Sequence, residues 1–434
     1  MDNVSLHNKA VVFLFLSAFL MVTGCSSNIT TRQTLTKTVT VTSSPSIVTT
    51  RQTLTKTVTV TSPPSIVTTT LPPTTVLPAF SIGGFQIISQ YDSVAGATVT
   101  VNVTNTSLVS AIYSVILRID EQVISKTDTV VQGGSSQGVT FNVDRDISVF
   151  TLKTDGNTAT IDATSDARLP NGYLLEKKVY TQLPVGTVYE ITYISDGLRV
   201  KGYLSLPNTP GRHPAMIWCR GGNQNYGLAE YFQISNYTSW LGWVAVGSQY
   251  RGNMGGQGKD QFGGDDVDDV VNLIPLLKNL PEVDPNRIGI TGESRGGMMA
   301  YETLRKQTQA GTNDIKVAVI VSGSADLFFQ AKKQPDMLNG VFIPLIGGTP
   351  EQLPQEYERR SAVRWANDIN VPILLQHGDQ DVHVYIDEAN EMAAELQKYG
   401  KNYKYIIYPG RGHDLIDTGP SYDDELAWLR KYLQ

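Results

Sequence analysis

Residues Arg287 to Ala300, RIGITGESRGGMMA, constrain the fold of this chain more than any other stretch. Ile288 and Ile290 have the spacing of a strand, and Met298, Met299 and Leu304 that of a helix. Between them stands Gly292-Glu293-Ser294-Arg295-Gly296. A strand that turns into a helix over so few residues leaves no room for Cβ atoms beside the turn, and glycine tolerates the dihedrals it needs. The Gly-x-Ser-x-Gly pattern in this context lifts the serine to the tip of the turn, facing the NH groups of the helix N-terminus. It predicts Ser294 as a nucleophile, where a loop that merely contains Ser is the alternative.

The surrounding pattern alternates strands with helices. Strands are readable at Tyr189–Tyr193, Leu198–Ser205, Ala215–Cys219, Trp243–Gly247, Arg287–Thr291, Val317–Val321, Ile373–Gln376 and Tyr403–Tyr408. Helical periodicity runs through Val267, Val270, Val271, Ile274 and Leu277, then around Ala389–Leu396 and Leu426–Tyr432. The later strands are nearly continuous apolar runs, as in a doubly wound, mostly parallel sheet buried on both faces. Active groups in such sheets gather at the carboxyl ends of the strands.

Two such ends supply the partners a nucleophilic serine needs. After Ile373–Gln376 comes His377-Gly378-Asp379-Gln380-Asp381-Val382-His383, where Asp381 is the expected acid and Asp379 the fallback. After Tyr403–Tyr408 comes Pro409-Gly410-Arg411-Gly412-His413, which makes His413 the expected base. The order Ser, Asp, His is the one α/β-hydrolases use. His7 lies in a segment expected to be removed, His213 precedes its strand, and His377 and His383 share the acid's loop. A glycine turn, Arg220-Gly221-Gly222-Asn223, follows Ala215–Cys219. With the NH of Arg295 it offers an oxyanion hole, Gly222 being the expected donor and Gly221 hard to separate from it.

Ahead of this domain the chain changes character three times. Residues 11–22, VVFLFLSAFLMV, form an apolar run too short for the roughly twenty residues that span a membrane as a helix, and so read as an export signal. The run ends Val22-Thr23-Gly24-Cys25, which resembles the lipobox of bacterial lipoproteins. That resemblance implies lipidation of Cys25, removal of residues 1–24 and extracytoplasmic anchoring to a bacterial-type membrane, at the cell surface or the periplasmic face; a plain signal peptide is the alternative. Residues 25–79 are dominated by Thr, Ser, Val and Pro, with Thr31–Thr49 repeated as Thr50–Thr68 except that Ser44 becomes Pro63, and read as an extended tether. Residues 80–165 alternate apolar and polar positions, as in Val99-Thr100-Val101-Asn102-Val103, which predicts a β-sandwich of immunoglobulin-like type. ATVTVNVTNTS and YSVILRIDEQVI resemble the cell-adhesion-related sandwich domains of bacterial surface proteins. A connector over 166–186 leads to the catalytic domain, 187–434.

Composition narrows the partners. A net charge of −6 with 18% charged residues gives no footprint for nucleic acid. Of two cysteines, Cys25 is committed to processing, which leaves Cys219 without a disulfide partner. No spacing suggests a metal, the chemistry requires no cofactor, and no oligomeric state is indicated. Asp265, Asp266, Asp268 and Asp269 read as helix-opening charges.

Taken in order, CRGGN, SQYRGNMGGQGKDQFGGDDVDDV, DPNRIGITGESRGG, YERRSAVRWA, HGDQDVHV and YPGRGHDL resemble the catalytic domain of the prolyl oligopeptidase family. The resemblance implies an α/β-hydrolase fold, a Ser294–Asp381–His413 triad, and a peptide or small ester as substrate. Two departures limit it. Arg220 stands where the family usually has His or Tyr, and is expected either to meet a substrate carboxylate or to pair with a nearby acid. The sandwich replaces the propeller of many family peptidases. Tyr250, in the family-like Tyr250-Arg251-Gly252, is a candidate for lining the pocket. The expected chemistry is acyl transfer to water. A carboxylesterase without peptidase activity and a non-catalytic surface binding protein remain the competing readings.

Overall fold

The computed structural model describes residues 80–89, 97–415 and 419–434. The expected signal, Cys25 and the tether lie outside the described residues. Seven strands come first: β1 (Phe80–Ser89), β2 (Ala97–Asn105), β3 (Ala111–Ile119), β4 (Gln122–Val131), β5 (Ser136–Val143), β6 (Ile147–Asp155) and β7 (Thr158–Ser165). They form two sheets, ordered β1-β2-β5 and β4-β3-β7-β6. The period of two read from the sequence sets what is buried: Val99, Val101 and Val103 of β2 join Val115, Leu117, Val139, Phe141 and Ile161 in one apolar core.

Nine further strands make the catalytic sheet: β8 (Leu174–Leu183), β9 (Gly186–Ser195), β10 (Leu198–Pro207), β11 (His213–Cys219), β12 (Val244–Ser248), β13 (Val283–Glu293), β14 (Ile315–Val321), β15 (Ile373–Gly378) and β16 (Tyr403–Tyr408). Their order is β16-β15-β14-β13-β11-β12-β10-β9-β8. From β12 to β16 all neighbours are parallel, whereas β8, β9 and β10 are joined antiparallel at one end. Every strand expected from the sequence is present. β8 is an addition: it occupies part of the expected connector. As an edge strand its LLEKKVYTQL is mostly solvent-facing, so it has no clean burial alternation to betray it.

Helices cover both faces. Along β14, Ala318 and Ile320 enter one core and Val317, Val319 and Val321 the other. The second core takes Ile234 and Tyr237 from α1 (Tyr231–Leu241) and Trp428 and Leu429 from the C-terminal helix Gly419–Leu433. The first takes residues of α2 (Val267–Val271), α3 (Leu273–Lys278) and α4 (Arg295–Gln309). The single helix expected over Val267–Leu277 is broken at Asn272, because Pro275 has no NH to donate back to Val271. This is an α/β-hydrolase sheet, with the loops after β11, β13, β15 and β16 at one end.

No described helix is long and apolar enough to cross a membrane.

Candidate active site

The turn at Ser294 is strained and enforced by its neighbours. β13 ends at Glu293, α4 begins at Arg295, and Ser294 between them has φ 57° and ψ −125°. Few non-glycine residues adopt such dihedrals, and they persist only where packing imposes them. Ser294 NH donates to Val321 O at 3.0 Å, and Ser294 O accepts from the NH groups of Gly297 at 3.0 Å and Ser324 at 3.2 Å. The flanking glycines are required by space. A Cβ on Gly292 would stand 2.1 Å from Gly296 O, and one on Gly296 would stand 2.0 Å from Cys219 O.

Asp381 and His413 meet from adjacent strands. Asp381 follows β15 and His413 follows β16; His413 Nδ1 lies 2.8 Å from Asp381 Oδ2. Since the carboxylate only accepts, Nδ1 carries the hydrogen and Nε2 is the nitrogen able to take a proton. Asp381 Oδ1 is fixed by the NH groups of His383 at 2.8 Å and Val384 at 2.9 Å. His377 Nε2 lies 3.3 Å from Asp381 Oδ2 and 2.8 Å from Val384 O, two acceptors, which places a hydrogen on that nitrogen. Asp379, the fallback acid, instead accepts the NH of Gly410 at 2.7 Å and shapes the loop that carries His413. His413 is held from its backbone side by Ser322 Oγ, which donates to its carbonyl at 2.8 Å.

The electrostatics follow from these contacts. Burial would raise the Asp381 carboxyl, but hydrogen bonds from His377 and His413 hold it well below the usual carboxylate range. Burial pulls His413 down, yet the hydrogen bond and charge of Asp381, with Glu293 and Asp414 nearby, outweigh it and leave the imidazole raised above 6.5.

The glycine turn after β11 abuts the elbow. A Cβ on Gly221 would lie 3.3 Å from Ser294 Cβ and 3.9 Å from its Oγ. Gly222 has φ +64°, and a Cβ there would stand 2.2 Å from Tyr226 O. The turn and the first residue of α4 therefore flank Ser294 as the sequence led one to expect. Arg220 takes the second of its two expected roles, beside an acid, and Tyr250 is buried with it. Arg220 is 0% exposed and donates to the carbonyls of Gln249, Gly221, Tyr226, Gly227 and Gln224, with Asp260 at 3.8 Å. Tyr250 is also 0% exposed and donates its hydroxyl to Arg220 O at 3.0 Å. Both are spent inside the protein, so they shape the turn and do not line a substrate pocket.

Of the four aspartates read as helix-opening charges, Asp266 and Asp269 are also buried ion-pair partners. Asp269 pairs with Arg251 at 2.8 Å, and Asp266 pairs with Arg295. Asp268 keeps a surface pair with Lys306. Asp260, which drew no attention in the sequence, is a buried acceptor for Arg295 and for Gln224 NH. Its only trace was its place in a loop too rich in Gly to carry a helix or strand pattern. Among the described residues no group of His, Cys, Asp and Glu is arranged to hold a metal.

The sequence model of the prolyl oligopeptidase family matches residues 232–434. A Bacillus subtilis (strain 168) protein described as the uncharacterized peptidase YtmA is 35% identical over 222 residues, covering 51% of this chain and 84% of its own. The chain belongs to the prolyl oligopeptidase family. Another B. subtilis family relative, the uncharacterized peptidase YuxL, is 28% identical over 248 residues, 53% of this chain and 36% of its own. Dipeptidyl-peptidase 5 of Porphyromonas gingivalis is 24% identical over 261 residues, 55% of this chain and 37% of its own. The chain thus spans little more than a third of the length of these two.

Solved structures of an acetyl xylan esterase from Thermoanaerobacterium sp. JW/SL YS485 and a puromycin-hydrolyzing peptidase from Mycobacterium tuberculosis are also similar. They show 18% and 17% identity, cover 59% and 81% of this chain and 87% and 68% of their own, and have TM-scores of 0.48. Membership of the prolyl oligopeptidase family makes this protein a serine hydrolase, a peptidase or an esterase.

Proposed function

We propose that the protein is a serine peptidase of prolyl oligopeptidase type, with Ser294 as nucleophile, His413 as base and Asp381 as the acid that orients it. The observation that carries this reading is the 2.8 Å contact between His413 Nδ1 and Asp381 Oδ2, on the loops beside the Ser294 elbow. His413 Nε2 takes the Ser294 proton as Oγ attacks the substrate carbonyl carbon. The carbonyl oxygen becomes an oxyanion facing the NH groups of Arg295 and of the Gly221–Gly222 turn. The proton on His413 then passes to the leaving amine or alcohol, and an acyl-Ser294 remains. Water, deprotonated by His413, attacks that acyl group; the ester bond to Ser294 breaks and Oγ regains the proton.

The same chemistry cleaves an ester, and the choice between bonds is open to direct test. Turnover of blocked peptidyl amides and short nitrophenyl esters is to be compared on the purified protein. The proposal expects both, and turnover of esters alone would make the protein a carboxylesterase. Absence of turnover toward either class, with an unlabelled Ser294, would leave a binding protein with a silent hydrolase domain.

The proposal extends to the rest of the chain. Lipidation at Cys25 and the 25–79 tether would hold the enzyme at an extracytoplasmic membrane face, cell-surface or periplasmic, and the domain at 80–165, of immunoglobulin-like type, would act as its spacer. The Val-Thr-Gly-Cys sequence before the tether supports this. Cys25→Ser is expected to move the protein from the membrane to the soluble fraction and to abolish incorporation of labelled fatty acid; unchanged fractionation and labelling would contradict the anchor.

A further inference from the structure

The carboxylate of Asp260 is where the two halves of the oxyanion hole are joined. Its Oδ2 accepts Gln224 NH, from the turn after β11, at 2.8 Å, and Arg295 Nη1, from the start of α4, at 2.9 Å. Its Oδ1 accepts Arg295 Nη2 at 2.8 Å and Phe262 NH at 3.0 Å. Arg295 also reaches the turn directly, with Nη1 donating to Gly222 O at 3.1 Å. One carboxylate and one guanidinium therefore connect the residue after Ser294 to the Gly221–Gly222 turn.

The surroundings fix that connection. Asp266 also binds Arg295 Nη2, and it accepts the NH groups of Gly263 and Gly264. The guanidinium of Arg295 lies 5.0 Å from the Tyr250 ring centre and 4.7 Å from that of Phe262, and Arg220 lies 4.9 Å from the Tyr250 ring. The side chains of Asp260, Asp266, Arg220 and Arg295 are at most 3% exposed. Two positive and two negative groups thus balance out of reach of water. Buried ion pairs of this kind add little net stability compared with well-packed apolar groups. What such a quartet supplies is defined spacing, and bidentate Arg–carboxylate pairing is the geometry that supplies it.

We propose that Asp260 is a positioning residue of the reaction. Through Arg295 and Gln224 NH it fixes the gap between the first NH of α4 and the NH groups of the glycine turn, and so the aperture that receives the oxyanion. This rests on the reading of Ser294 as nucleophile. Asp260 acts on the transition state only, since the charge it helps to accommodate does not exist in the bound substrate.

The test is steady-state turnover of a short nitrophenyl ester by Asp260→Asn and Arg295→Lys, per active site titrated with a fluorophosphonate. Affinity for a trifluoromethyl ketone, whose adduct carries an oxyanion, is measured beside it. Asp260→Asn is expected to lower kcat about 10- to 100-fold, the lower part of the range for losing an oxyanion donor, with KM changed less than about twofold. Ketone affinity is expected to fall by the same factor as kcat. Arg295→Lys keeps a positive charge facing both aspartates but loses the bridge to Gly222 O; it is expected to give the same signature and to serve if Asp260→Asn does not fold. A per-site kcat equal to wild type in either folded variant would overturn the proposal, as would a rise in KM with ketone affinity unchanged. If Ser294→Ala keeps turnover, the nucleophile assignment itself has failed, and that outcome is separate from the behaviour of Asp260.

Discussion

At the scale of single residues, His413, the proposed base, is expected to set the pH at which the site works. In the proposed mechanism only its neutral form accepts the Ser294 proton, and its pKa is raised above 6.5 because Asp381 outweighs burial. Activity is therefore lost as pH falls through a value above 6.5, and the acid limb of kcat/KM is expected on that side of the ordinary histidine value. Removing the charge with Asp381→Asn is expected to move the limb to lower pH and to reduce kcat roughly 10⁴-fold. A limb that stays in place would show that another group controls it. The sequence offered Asp381 first and Asp379 second on one loop, and Asp381 is the carboxylate that lies against His413. What no sequence pattern reveals is that Asp379 holds the backbone beside His413, or that His377 shares the Asp381 oxygen, because both depend on two loops meeting in space.

Among the elements, the elbow and the helix Ile386–Lys398 make separate predictions. Replacing Gly296 by Ala puts a methyl group 2.0 Å from Cys219 O, a backbone atom that cannot swing aside. The variant is expected to lose about 1–3 kcal/mol in denaturant unfolding, with activity falling further than the folded fraction. Wild-type stability would show the turn to be slacker than described.

Glu388, on that helix, accepts the NH groups of Ala325 at 2.9 Å and Asp326 at 3.0 Å, yet burial pushes its carboxyl up to about 8. A folded value raised above the unfolded 4.5 means that its contribution to stability is complete below 4.5 and is lost as pH rises through about 8. The melting temperature is expected to decline over that window, and Glu388→Gln to flatten part of the decline. An unchanged slope would remove Glu388 from the account. The elements themselves were mostly readable because inner strands and amphipathic helices carry their burial in their period. β8 and the break at Asn272 were not, since an edge strand has no buried face to mark and one proline interrupts an otherwise continuous stripe.

Across the whole molecule, the segment just beyond β7 is fastened to the catalytic sheet by a buried pair, and the loop before β6 by a part-buried hydrogen bond. Arg199 Nε, on β10, donates to Asp166 Oδ2 at 2.5 Å just beyond β7, and Gln257 Nε2 donates to Asp146 Oδ2 at 2.5 Å. Arg199→Ala removes the guanidinium that binds the buried Asp166 carboxylate and is expected to cost about 3–5 kcal/mol, measured by denaturant unfolding. No change would mean that the contact is solvated in solution. Neither pair was visible in the sequence, where Asp166 and Arg199 stand in different patterns with no shared period.

The arrangement of the loops after β13, β15 and β16 makes one claim that a single measurement reaches most directly: the reacting atom is Ser294 Oγ. Labelling with a fluorophosphonate, followed by mass spectrometry of the digested protein, is expected to give one adduct per chain, on the peptide containing Ser294. Ser294→Ala is expected to take no label and to turn over esters roughly 10⁶-fold more slowly. Label on another residue, or Ser294→Ala with near-native turnover, would contradict the account.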